Sequence, residues 1–322
     1  MKRRTFLKGA ASTAATLTCF PTTLAGIERE TASGRVERRS LGQTGEKVSM
    51  IGFGSFVLNG TSPEAASRLV GEAVEAGVNY FDVAPTYGNA EELLGPALEP
   101  HRKNVFLACK TTQRRQTEAA AELDRSLTHL HTDHVDLYQL HAVTTAQEVE
   151  AIFGAEGALH AFEAAKKAGK VRFLGFSAHS VEAALALMDR FDFDTILFPV
   201  NYATWNAGNF GPQVLARAQE KKMGILALKA MAKGPWPKEA RRFASNCWYE
   251  PLLDPAEALL ALRFTLSHPV TAAVTPAHEP CLRLALKLAP QFTPLTSAEA
   301  EMLKEKAMKA GLIFKYPREA RA

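Results

Sequence analysis

Four ionisable side chains stand at or just beyond the ends of short apolar runs. Asp82 ends VNYFDV (78–83) but for one residue, Lys110 closes VFLACK (105–110) and His141 closes VDLYQLH (135–141). Tyr87 follows Asp82 by five residues, with Gly88 beside it, and Ser177 and Asn201 close two further runs. A phenol, an ammonium and a carboxylate make a set that can move a proton. Free tyrosine ionises near pH ~10, so it needs help to exchange a proton near neutrality. A close ammonium favours the phenolate, and a carboxylate holds that ammonium in place and charged. An imidazole can donate a hydrogen bond to an oxygen on which charge develops. Any one of these groups is ordinary at the end of a strand or in a loop. Three successive runs ending this way aim them at one spot.

The elements that would position them alternate along the chain. The expected strands are a first one ending near Gly52 (VSMIGFG), then Val78–Val83, Val105–Lys110, Val135–His141, Val171–Ser177, Thr195–Asn201, Gly224–Lys229 and Thr271–Thr275. Between them lie amphipathic stretches: Glu64–Ala76, Glu118–Leu130, Leu159–Ala168, Val181–Arg190, Gln213–Lys221 and Pro255–Ser267. Continuous apolar runs are strands buried on both faces, and helices between them imply parallel pairing. Eight such units predict a closed (β/α)8 barrel, whose catalytic groups sit at the C-terminal ends of the strands. The segment 36–47, with its G-x-x-G turn, is expected to form a hairpin closing the bottom of the barrel. Residues 233–254 form an insertion after the seventh strand, and 297–311 a final helix outside the repeat. An open doubly wound sheet is the alternative, but no G-x-G-x-x-G follows the first strand.

Composition narrows the class. Apolar residues make up 47% of the 322 and charged residues 22%, the balance of a globular protein with a sizeable core. The net charge of +4 comes from the N-terminus: residues 1–25 hold Lys2, Arg3, Arg4 and Lys8 and no acid, and without them 34 basic residues face 34 acidic ones. No basic stripe argues for nucleic acid. The run Arg3-Arg4-Thr5-Phe6-Leu7-Lys8, a short apolar stretch and small residues up to Ala25 match a twin-arginine export signal. The apolar stretch is about a dozen residues, short of the ~20 that span a bilayer. The expected division is a signal at 1–25, a flexible stretch at 26–35 and one barrel domain at 36–322. The protein would engage the twin-arginine machinery, reach the periplasm or beyond, and hold no stable place in the membrane. Cys19 leaves with the signal. Cys109, Cys247 and Cys281 remain, too few for a disulfide framework, with a Cys247–Cys281 bridge left open.

The run NYFDVAPTYGNAEELLG (79–95) resembles the aldo-keto reductase signature, and Asp82, Tyr87, Lys110 and His141 fall where that family keeps its catalytic Asp, Tyr, Lys and His. The resemblance extends from Arg39-Ser40-Leu41-Gly42 to the eighth strand. It implies hydride transfer between a nicotinamide cofactor, NADP in preference to NAD, and a carbonyl or secondary alcohol, with Tyr87 as proton donor or acceptor. It also implies cofactor contacts around Gly54, Ser177, Asn201, Leu228, Lys229 and Arg283. Here the sequence departs from the family pattern. Ala178 follows Ser177 where an Asn is usual, Pro199 replaces a Gln, and Leu228 replaces a Tyr that stacks on the nicotinamide. Arg283 could pair with a ribose 2′-phosphate, while Glu279 would repel one. Lys229 in the barrel mouth could contact a diphosphate or an acidic substrate, or simply reach solvent.

No metal site is expected. The cluster His129, His131, Asp133 and His134 precedes the fourth strand, on the face away from catalysis, and lacks ligand spacing. Trp236, Trp248 and Tyr249 in the insertion offer stacking faces for a sugar or aromatic substrate, or pack together as a lid. Export raises a difficulty for a reductase, because fresh reduced cofactor belongs to the cytoplasm. Two alternatives therefore stand beside it: a redox-neutral enzyme that retains its nicotinamide, and a non-catalytic binding protein on the same barrel.

Overall fold

The computed structural model describes residues 34–317. The export signal, its cleavage after Ala25 and most of the stretch 26–35 lie outside the described residues. Twelve strands are present among those described. β1 (Arg38–Ser40) and β2 (Lys47–Ser49) form an antiparallel hairpin. Eight strands close a parallel barrel: β3 (Ile51–Gly54), β4 (Tyr80–Asp82), β5 (Phe106–Thr111), β6 (Val135–Val143), β7 (Val171–Ala178), β8 (Thr195–Pro199), β9 (Gly224–Leu228) and β12 (Ala272–Val274). The ring closes where β12 pairs with β9 on one side and β3 on the other. β10 (Ala232–Pro235) and β11 (Tyr249–Pro251) pair antiparallel within the expected insertion.

A helix follows each barrel strand: Pro63–Glu75, Ala90–Leu98, Gln116–His129, Ala158–Lys167, Val181–Arg190, Pro212–Glu220, Pro255–Ser267 and Glu279–Leu288. Ala146–Phe153, Tyr202–Asn206 and the C-terminal Ser297–Ala307 are additional. The helix Ala90–Leu98 was not expected, because Gly95 and Pro96 interrupt its pattern. Packing explains the glycine: a Cβ at Gly95 would stand 2.3 Å from the His129 carbonyl oxygen, where the next helix ends. The strand ends shift by one or two residues from expectation: β4 is three residues long, β6 runs on to Val143 and β8 stops at Pro199, so neither His141 nor Asn201 closes its strand.

Strand periodicity decides what faces the barrel interior. Successive side chains alternate between faces. Tyr80, Phe106, Ala108 and Leu137 join the interior cluster, while Phe81, Leu107, Cys109, Tyr138 and Leu140 pack outward under the helices. Asp82, Lys110 and His141 share the inward parity, so the alternation that builds the core also turns the polar groups into the barrel.

The hairpin seals the far end. Leu41, fully buried, joins the interior cluster of Tyr80, Phe106, Leu137, Leu197 and Leu226 from below. Gly42 next to it has φ 54°, and a Cβ there would meet the Gly224 nitrogen at 2.3 Å, so this turn needs glycine. Asp136 at the start of β6 ties the same end together, accepting from Arg102 at 3.1 Å, Arg172 at 2.6 Å and the Leu107 amide at 2.8 Å. Leu41→Ala removes the stopper while leaving the catalytic mouth untouched. It is expected to cost about 3 kcal/mol, in the range for large-to-small core changes. A urea titration would show this as a lower midpoint; an unchanged midpoint would mean the hairpin does not seal the core.

Candidate active site

The strand ends bring Asp82, Tyr87, Lys110 and His141 together. Lys110 Nζ donates to Asp82 Oδ1 at 2.5 Å and to the Val83 carbonyl at 3.0 Å, and both side chains are almost wholly buried. The other carboxylate oxygen accepts from the Tyr80 hydroxyl at 3.1 Å and from Gln139 Nε2 at 3.4 Å. A buried ion pair is tolerable when further hydrogen bonds satisfy its remaining capacity, and here they do so for the carboxylate. Tyr87 lies over the ammonium, with Lys110 Nζ 5.0 Å from its ring centroid, and stacks on Phe56 at 4.9 Å. His141 meets the Tyr87 ring edge-on at 5.7 Å.

Burial pulls the Lys110 pKa down, but Asp82 and Tyr87 together raise it, and the net direction is up. The lysine is therefore a fixed cation. Tyr87 runs against the expectation from its residue types. Loss of water raises its pKa more than Lys110 lowers it, and Asp82 adds to the rise. Near neutral pH the group is a phenol with a proton to give.

His141 is positioned through its backbone. The β6–β7 register shifts between Leu140 and Val143, and Ala142 takes φ 54°. Ser177 Oγ accepts from the Ala142 amide at 2.7 Å, while Arg114 donates to the His141 carbonyl at 2.6 Å and to Glu148 at 2.8 Å. Ser177 thus holds the irregular turn that presents the histidine. This bulge has no sequence signal, since neither glycine nor proline marks it.

A cavity of about 180 Å³ opens on Asp82, Tyr87 and His141. Its walls include Gly54, Phe56, His179, Leu228, Lys229 and Thr275. Across it runs a strap from the β10–β11 excursion, carrying Asn246, Cys247, Trp248 and Tyr249. Asn246 Nδ2 donates to the carbonyls of Phe56 and Asn59, and Asn59 Nδ2 donates to Asn246 Oδ1 at 3.2 Å, latching the strap to the segment after β3. Trp236 does not line the cavity; its indole donates to the Cys247 carbonyl at 2.8 Å. All three cysteines among the described residues are free and buried, so Cys247 and Cys281 are not bridged.

The six expected cofactor residues have different fates. Gly54, Leu228 and Lys229 line the cavity. Gly54 donates its amide to Thr275 Oγ1 at 3.1 Å, and a Cβ there would meet the Thr275 carbonyl oxygen at 2.4 Å. Ser177 is buried beneath the β6 bulge. Asn201 caps the helix Tyr202–Asn206, accepting from the Ala203 and Thr204 amides, and donates to the carbonyls of Lys229 and Ala232. Its side chain is committed to holding the turn after β9. Arg283 lies outside the cavity, paired with Glu72 at 3.1 Å and Glu279 at 3.0 Å. The histidine cluster before β6 is split among separate partners: His129 with Glu91, His131 with Glu99 and His134 with Asp133.

Sequence reasoning missed Tyr80 and Gln139. Each lies two residues before a member of the quartet, on the same inward parity, which is the signal that would have found them. It also missed Phe56, His179 and Asn246, which only the folded loops bring to the mouth.

A nicotinamide fits the reacting end of this site. The donor set of Tyr87, Lys110 and Asp82 suits proton delivery beside a hydride transfer, and Leu228, Val274 and Phe56 offer apolar walls to a planar ring. The carboxamide end differs from the expected pattern, because Asn201 is turned to backbone groups.

Two histidines at the mouth are held neutral. Burial, reinforced by Lys110, His179, Arg114 and Lys229, lowers the His141 pKa well below its ordinary value. Burial and then Lys229 bring His179 down to about 3. The unfolded chain binds a proton at His179 below pH ~6.5, and the folded protein does not until about pH 3. Stability therefore falls as pH drops through that window, by at most ~1.4 kcal/mol per pH unit for this group. Urea midpoints at pH 7.5 and 5.0 are expected to differ less in His179→Gln than in the parent; equal differences would sink this assignment.

Comparisons with known proteins bear on the family and the fold. Residues 50–248 match the model of the Aldo/keto reductase family. An uncharacterised oxidoreductase, YqkF of Bacillus subtilis, is 32% identical over 157 residues, covering 44% of this chain and 49% of that protein. The L-galactose dehydrogenase of Arabidopsis thaliana is 27% identical over 216 residues, 62% of this chain and 67% of that protein. The first match thus spans about half the relative's length and the second about two thirds. The holo form of the aldo-keto reductase AKR11C1 from Bacillus halodurans superposes with a TM-score of 0.69 at 23% identity, covering 88% of this chain and 99% of that one. At that identity the likeness bears on fold. With the family model spanning more than half its length and the quartet assembled at the strand ends, the chain belongs to the aldo/keto reductase family.

Proposed function

We propose that this protein is a nicotinamide-dependent oxidoreductase acting on a small-molecule carbonyl, secondary alcohol or sugar, with NADP as its cofactor. The observation that carries this reading is the neutral Tyr87 phenol held beside the Lys110–Asp82 pair. A bound reduced nicotinamide would supply the hydride to the carbonyl carbon. His141 donates a hydrogen bond to the carbonyl oxygen and orients it. Tyr87 then gives its phenolic proton to the oxygen as alkoxide charge develops, so one O–H bond breaks and another forms. The phenolate left behind rests against the Lys110 ammonium, which Asp82 keeps in place. In the reverse direction the same groups take the proton from an alcohol.

The preference for NADP rests on Arg283, on the helix that follows the Thr275–Ala277 wall of the cavity, and on Arg68, which shares Glu72 and Glu279 with it. Glu72 and Glu279 oppose them, at 3.7 Å and 4.0 Å from Arg68, so the cluster is balanced in charge. The pattern Arg3–Lys8 supports export of the folded protein through the twin-arginine route. One observation favours the variant reading in which the cofactor is retained: the Asn246–Asn59 latch crosses the mouth of the cavity. A held cofactor would suit an exported enzyme with no supply of fresh reductant.

Purified protein would be titrated with NADPH and NADH by nicotinamide fluorescence, before and after denaturation and refolding. Saturable binding, tighter for NADPH, is expected, and nicotinamide released on denaturation would point to the retained form. Tyr87→Phe is expected to keep cofactor binding and lose activity by about 10²–10⁴-fold, the scale of a general acid. Full activity in that variant, or no binding of either nucleotide and none released, would overturn the proposal.

A further inference from the structure

Lys229 is the feature of the cavity that the proton relay does not use. It follows β9 with φ 67° and is partly buried in the cavity wall. Its Nζ lies 4.6 Å from the centroid of Tyr249 and 5.2 Å from that of Trp248, both on the strap. No hydrogen bond or ion pair from this ammonium is present among the described residues. The one carboxylate lining the cavity, Asp82, is taken by Lys110, Tyr80 and Gln139. Two aromatic faces give a cation partial compensation for lost water, but they are weaker than a counter-ion. Beside it, His179 leaves Nε2 buried and without a hydrogen-bond partner, while its ring stacks on Phe314 at 5.4 Å. Every other lysine or arginine at or behind this mouth has an acid: Lys110 has Asp82 and Arg114 has Glu148.

An unpaired cation and an orphaned imidazole nitrogen, in one cavity with Tyr87 and His141, make half of an anion site. We infer that Lys229 and His179 bind a carboxylate carried by the substrate, so that the protein selects carbonyl or alcohol compounds bearing an acid group. This deepens the oxidoreductase reading and rests on it for the word substrate; the anion site itself does not. The aromatic faces of Trp248 and Tyr249 leave the ammonium open to a ligand entering from the mouth, since Trp248 is itself half exposed to solvent. A phosphate of the cofactor is the competing occupant, and the test separates the two.

The site can be read without turnover, because Trp248 reports on it. The purified full chain would be titrated with malonate and with its uncharged diamide, following tryptophan fluorescence. Malonate is expected to bind saturably and the diamide not. Lys229→Met is expected to weaken malonate at least about tenfold, the scale of a charge-assisted hydrogen bond. Lys229→Arg, which keeps the charge, is expected to retain most of the affinity and so guards against a folding defect. Affinity should also fall as pH rises through about 8, where burial places the Lys229 pKa. The groups facing it leave that window clear. Burial holds the Cys247 thiol at about 11 and raises the tyrosines Tyr87 and Tyr249, while His141 and His179 are lowered. No malonate binding, or binding indifferent to Lys229→Met, would overturn the inference. So would a tenfold loss of NADPH affinity in Lys229→Met with malonate binding intact, which would assign the ammonium to the cofactor. Absence of any nucleotide binding, with malonate behaving as expected, would instead remove the oxidoreductase reading and leave the anion site standing.

Discussion

A charged pair inside a barrel is the constraint from which this site follows. The Lys110 ammonium and Asp82 carboxylate are almost wholly buried, and neither would be stable there alone. Their contact requires β4 and β5 to be neighbours, in the register that sets Asp82 beside Ala108. It also requires Tyr80 and Gln139 on the same inward parity to complete the carboxylate. The pair in turn fixes a positive charge under Tyr87, which stabilises the negative charge left on the phenol oxygen once its proton is given. Removing either partner would leave the other buried and uncompensated. The rest of the barrel can be viewed as the scaffold that keeps these two charges together.

Around that centre the molecule uses two supports of different kinds. Below, the hairpin turn at Leu41–Gly42 fills the barrel and carries no chemistry. Above, irregular backbone does the positioning. The bulge after Leu140 turns His141 toward Tyr87, and Ser177 and Arg114 hold it from either side. The turn after β9 presents Lys229, and Asn201 secures it. Polar residues that look like ligand contacts in the sequence therefore serve the loops that aim other residues. This division is physically reasonable, because rigid strands set the spacing while turns set the direction of individual side chains.

The strap changes the character of the mouth. Trp248 and Tyr249 flank a cation and Asn246 ties the excursion to the segment after β3. The cavity is closed more tightly than an open barrel top would be. An ionisable ring in such a space is governed by the loss of water as much as by neighbours. This is why Tyr87 stays protonated despite the lysine beside it, and why both histidines stay neutral.

Much of this was legible beforehand. The eight apolar runs, the helical stretches between them and the four groups at their ends come from local periodicity, which needs no partner to be read. Lys110 and Asp82 could be paired in advance because the barrel has a known direction and each stands at or within one residue of the end of its strand on the inward face. The helix Ala90–Leu98 was hidden by a glycine and a proline, and the glycine makes sense only against the neighbouring helix end. Ser177, Asn201 and Arg283 illustrate the limit in another way. Their residue types suit cofactor contacts, but hydrogen bonds and ion pairs are claimed by whichever partner the fold brings closest. The amide of Ala142, the cap of Tyr202–Asn206 and the carboxylates of Glu72 and Glu279 are such partners, and of these Ala142 and Glu72 are far away in sequence. What the sequence determined by itself was the barrel and the inward parity of Asp82, Lys110 and His141 at its strand ends, because alternation along a strand is a local property. Only the tertiary structure decided that Tyr87 is a phenol, that Asn201 holds a turn and that Lys229 stands unpaired between two aromatic rings. Dehydration and pairing depend on residues that meet only when the chain has folded.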